Sequence, residues 1–63
     1  GWLIADYKTG CPRAGESGGM FAARMRHRYG GQLQRYCALV TAFDGRPAQG
    51  ALYFPRAAAW IEL

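Results

Sequence analysis

Residues 2–10 read WLIADYKTG. Side chains alternate along a strand, so Trp2, Ile4, Asp6 and Lys8 share one face and Leu3, Ala5 and Tyr7 the other. Apolar residues on both faces predict a central strand over residues 2–8, covered on each side. The pattern then turns polar, with an acid and a base two positions apart and Thr9-Gly10 behind them. Asp6 and Lys8 therefore point the same way at a carboxyl end. An ordinary ion pair accounts for a lone D-x-K. The carboxyl end of a strand that feeds a crossover is also where α/β sheets place their sites.

Residues 9–19, TGCPRAGESGG, hold four glycines and a proline and predict a loop. No Gly-Lys-Ser/Thr follows, so these glycines do not form a phosphate-cradling motif. One helical period runs over residues 20–43. At about 100° per residue, Phe21, Met25, Tyr29, Gln32, Leu33, Tyr36, Leu39, Val40 and Phe43 fall within an arc of about 120°. Arg24, Arg28 and Arg35 cluster beside that arc, and His27 falls on the polar side. Arg26 falls on the apolar side, as a snorkelling side chain or the mark of a break. Gly30-Gly31 costs roughly 2 kcal/mol against alanine, which predicts a kink in one helix or a division into two. Gln32, near the middle of the arc, requires a partner or a site to face, or lies at the rim of the stripe.

Residues 44–50 predict a turn, and strands follow at about 48–54, ended by Pro55, and at 58–63. The order strand, long helix, strand, strand predicts an α/β chain with a mixed sheet. The helix joins a parallel pair through a right-handed crossover, and the last strand is antiparallel at an edge. No internal repeats or low-complexity tracts are present.

With 63 residues the chain forms at most one small domain, burying only ~60% of its unfolded surface. Hydrophobic residues at 51% and aromatics at 14% exclude a solvated tail. The apolar runs fall short of the ~20 residues that cross a bilayer. Cys11 and Cys37 are too few for a disulfide framework. Cys37 lies on an apolar helical face, which suits a reduced core thiol in a cytoplasmic protein. The start at Gly1, without methionine, leads us to expect a piece of a longer polypeptide. Lys and Arg number 8 against 4 Asp and Glu, a net charge of +4. Seven of the eight bases are arginine. Either a solvated surface or a polyanion partner accommodates this excess.

The segments IADYKTG, QLQRYCAL, ALYFP and WIEL together resemble the later part of the RecB-like, exonuclease V beta-like branch of the PD-(D/E)XK nucleases. In that branch a strand ending D-Y-K-T-G precedes a helix bearing Q-x-x-x-Y and then apolar strands. The resemblance spans most of the chain except roughly residues 11–27. It implies a restriction-endonuclease-like fold and metal-dependent hydrolysis of DNA phosphodiesters at ends, in repair or recombination. Asp6 would be a carboxylate ligand of Mg²⁺, or of Mn²⁺ in its place, with the Tyr7 carbonyl as a second oxygen. Lys8 would orient or help deprotonate the attacking water and stabilise charge growing on the phosphate. Gln32 and Tyr36 would line the groove. Arg24, Arg28 and Arg35 would contact DNA phosphates without reading sequence. A superfamily 1 helicase domain or subunit would be the partner.

The family places another acidic ligand on a preceding hairpin strand, often with a His or Glu on a helix before it. Glu16, Asp44 and Glu62 do not sit where that ligand belongs. The expectation is therefore half a site, inactive alone, completed by an upstream segment or another chain. A non-catalytic DNA-binding or scaffold module derived from the same fold is the alternative. A small basic domain unrelated to nucleases is a third reading. Exposed strand edges also invite a homodimer of the chain.

Overall fold

The computed structural model describes residues 1–63. Its order is β1 (Trp2–Tyr7), α1 (Gly18–Met25), a π-helical turn (Arg26–Gly30), α2 (Gly31–Asp44), β2 (Ala48–Phe54), a 3₁₀ turn (Pro55–Ala57) and β3 (Ala59–Glu62). The sheet runs β1-β2-β3, with β1 parallel to β2 and β3 antiparallel to it. The chain is thus α/β, with a three-stranded mixed sheet and one long interrupted helix as the crossover. No helix is long and apolar enough to cross a membrane.

Local chemistry sets the boundaries. The Ser17 hydroxyl caps α1 by accepting from Met20 N–H at 3.1 Å, which satisfies one of the free donors of the first turn. Gly45 ends α2 in the left-handed region at φ 83°, where a side chain would be strained. Pro55 ends the strand hydrogen bonding of β2 and opens the 3₁₀ turn.

The helix is where a straight extrapolation of the period fails. Its buried line is Phe21, Met25, Leu33 and Cys37, with Tyr29 half-buried between them. Four residues overshoot an α-helical turn by about 40°, so such a line drifts about 160° from Phe21 to Cys37. The wider π turn rotates less per residue and takes back part of that drift. Arg26 opens it, with Nε donating to the Glu62 carbonyl at 3.2 Å. Beyond it the predicted arc does not hold: Tyr36, Leu39 and Phe43 are exposed, the last at 97%.

A second correction concerns β1. It is an edge strand, not a central one covered on both sides, and Leu3 and Tyr7 are exposed. The middle strand is β2, where Gly50, Ala51, Leu52 and Phe54 are buried. Helix and sheet meet through Phe21, Met25, Leu33 and Cys37 on one side and Leu52, Phe54 and Ile61 on the other. Phe21 packs edge-on against Phe54 at 5.1 Å. On the opposite sheet face Tyr7, Tyr53 and Trp60 form a row across all three strands. The molecule is elongated, 42 × 18 × 15 Å along its principal axes.

Gly50 fixes the spacing of the two layers. A Cβ there would lie 3.0 Å from Leu33 Cγ and 3.2 Å from Cys37 Sγ. Gly50→Ala is therefore expected to destabilise the chain by about 1–3 kcal/mol through overpacking, read as a lowered midpoint in thermal denaturation. Gly18→Ala, where a Cβ meets nothing within 4 Å, should leave that midpoint within a few degrees.

Candidate functional site

Parallel pairing places the end of β1 against α2. Trp2 N–H donates to Pro47 O and Lys8 N–H to Tyr53 O at 2.9 Å. The even-numbered residues thus bond to β2, because ladder bonds alternate along a strand. It follows that the N–H and C=O groups of Leu3, Ala5 and Tyr7 point to the open edge. Ile4 and Asp6 turn toward the helix, and a cavity of about 290 Å³ forms there, lined by Ile4, Ala5, Asp6, Gln32, Leu33 and Tyr36.

Asp6, Gln32 and Tyr36 thus meet at one opening although 26 to 30 residues separate them in sequence. Lys8 does not line the opening but pairs with Asp6, its Nζ 3.2 Å from Asp6 Oδ2. The same ammonium lies 4.5 Å from the centre of the Tyr29 ring. Gln32 is exposed, with Leu33 beside it taking the buried position, and so faces the opening without a buried amide to satisfy. Tyr36 also borders an apolar groove with Trp2, Leu39, Val40 and Phe43.

The other three acids are engaged elsewhere. Glu16 receives Arg24 Nε and Nη2, both at 2.8 Å. Asp44 receives Arg46 Nε at 2.6 Å and the Trp2 indole at 2.8 Å, which hold its carboxyl below the usual range, the arginine most strongly. Glu62 accepts from the Trp60 indole at 3.4 Å. Asp6 alone pairs with a lysine rather than an arginine, and its side chain is 42% exposed. As a cation site the chain therefore offers one carboxylate and the edge-facing Tyr7 carbonyl. These are hard oxygens of the kind Mg²⁺ takes, and no group of three His, Cys, Asp or Glu side chains supplements them. The donors fit half a site.

The three arginines separate. Arg24 is neutralised by Glu16 within the chain. Arg28 is exposed, with its guanidinium 5.2 Å from the Tyr29 ring. Arg35 is exposed on α2, and His27 is exposed on the π turn. Tyr29 is the residue beside Lys8 that the sequence marked only as part of the helical arc. Its spacing of four from both Met25 and Leu33 was the available sign. No protein-family model, curated protein or solved structure matches this chain.

The Glu16–Arg24 pair ties the loop to α1 and is sensitive to acid. Hydrogen bonds from Arg24 and then from the Arg13 backbone N–H lower the Glu16 pKa from 4.5 to about 2. A carboxyl with a depressed folded pKa stabilises above its ordinary value and loses that contribution as pH falls through the folded one. The stability difference between wild type and Glu16→Gln should be full at neutral pH. It should shrink between pH 4.5 and about 2, as measured by urea denaturation across that window.

Proposed function

We propose that the chain carries half of a metal-dependent DNA phosphodiesterase site, in a domain of the RecB-like PD-(D/E)XK type. The observation that supports this best is the opening that Asp6, Gln32 and Tyr36 line together, with Lys8 ion-paired to Asp6. Exposed pairs of the Asp6–Lys8 kind contribute little stability, about 0–1 kcal/mol, so folding gives weak reason for the arrangement.

In this reading Asp6 and the Tyr7 carbonyl would hold Mg²⁺, or Mn²⁺ in its place, which when bound would supply Lewis acidity for phosphodiester hydrolysis. The Lys8 ammonium, held 3.2 Å from the carboxylate, offers positive charge to the phosphate oxygens as negative charge grows on them. Gln32 presents an amide that can donate to a phosphate oxygen or brace Asp6. Tyr36 borders the path of the strand. Arg28 and Arg35, exposed on the helix, attract backbone phosphates without sequence preference. A second segment or chain provides the remaining acidic ligand and pairs along the open edge of β1. DNA ends are the proposed substrate and a superfamily 1 helicase the proposed companion.

The deciding measurement is Mg²⁺-dependent cleavage of linear DNA by the polypeptide that carries this chain. Asp6→Ala and Lys8→Ala are each expected to lower kcat by roughly 100-fold or more, with DNA affinity kept within a few-fold. Undiminished cleavage by Asp6→Ala would overturn the reading. DNA binding without cleavage in the unaltered polypeptide would favour the non-catalytic module, which the single available carboxylate also suits.

A further inference from the structure

We infer that Tyr29 positions Lys8, the face of its ring holding the ammonium beside Asp6; this rests on the nuclease reading for its consequence but not for its geometry. Lys8 is the only lysine in the chain. Its side chain is long, flexible and strongly hydrated, so it does not hold one position unaided. The backbone is fixed, because Lys8 N–H donates to Tyr53 O at 2.9 Å beyond the last residue of β1. The other end is fixed twice, by Asp6 Oδ2 at 3.2 Å and by the Tyr29 ring at 4.5 Å. An aromatic face attracts a cation at that range through its quadrupole, more strongly as water is removed. The Lys8 side chain is 26% exposed, so part of its water is already gone.

The ring is itself held. Tyr29 packs against the buried cluster from within the π turn, and such turns frequently occur at functional sites. None of the side-chain hydrogen bonds within the chain uses its hydroxyl. What Tyr29 gives Lys8 is therefore the ring, which phenylalanine shares and leucine lacks. An Asp6 carboxylate alone would let the ammonium swing away once a cation competed for the same oxygens. The aromatic face keeps it in place through that exchange, because the ring does not bind Mg²⁺ in water.

The test begins with proton NMR of the unaltered chain, in which one lysine gives one set of ε-methylene signals. These are expected upfield of an unshielded lysine, from the ring current of Tyr29. Tyr29→Phe should keep the displacement, and Tyr29→Leu should lose it. In the cleavage assay on the parent polypeptide, Tyr29→Leu should lower kcat roughly tenfold with KM for DNA held, and Tyr29→Phe should restore the rate. Unshifted Lys8 signals in the unaltered chain would overturn the proposal. So would a folded Tyr29→Leu variant that cleaves as fast as wild type in a polypeptide whose Asp6→Ala variant is inactive. Failure of the nuclease reading looks different: Asp6→Ala would cleave normally while the Lys8 displacement persisted and vanished in Tyr29→Leu. The positioning of Lys8 would then stand and its catalytic use would fall.

Discussion

The seat of α2 on β2, where Leu33 and Cys37 close over Gly50, is the contact on which the rest depends. A larger residue at position 50 would lift the helix, and a helix set one residue out of phase would bring a different side to the sheet. With Leu33 and Cys37 directed down, Gln32 and Tyr36 flank them on the side toward β1. Asp6 and Lys8 arrive there because parallel pairing sets Asp6 opposite Leu52. The apolar fit thus sets where the four polar groups lie, and they add little stability in return.

That fit requires the π turn. Phe21 and Met25 reach the sheet from α1, while Leu33 and Cys37 reach it from α2, and an uninterrupted α-helix would turn the two pairs apart. The cost of the wide turn and of Gly30-Gly31 is offset by keeping both halves on one face. The turn also puts Tyr29, itself half-buried, beside the lysine at the end of β1.

Much of this was legible in the sequence. The order of elements, the parallel pair and the antiparallel third strand follow from the apolar runs and their spacing. Asp6 and Lys8 on one face follow from alternation. The phase of the second half of the helix did not follow, because a period of 100° assumes α geometry throughout. Applied across Arg26–Gly30, it buries Tyr36, Leu39 and Phe43, which are exposed. The edge position of β1 was hidden for another reason. Apolar residues on both faces describe what a strand could bury, and Leu3 and Tyr7 lack a covering layer. The pairing of Glu16 with Arg24 depends on how a glycine-rich loop folds back, which no local pattern encodes. The closeness of Tyr29 and Lys8 was hidden by the same π turn that creates it.

The elongated shape has a thermodynamic corollary. The radius of gyration is 12.6 Å, where a compact chain of this length would have about 11 Å, and only ten of the 63 residues are buried. The heat capacity of unfolding scales with the apolar area newly hydrated. A narrow two-layer body with an exposed aromatic row hydrates comparatively little when it opens. Its free-energy curve is accordingly shallow in temperature, with gradual melting on heating and little loss on cooling. Any molecule that covers the exposed aromatic row would steepen that curve without altering a single internal contact.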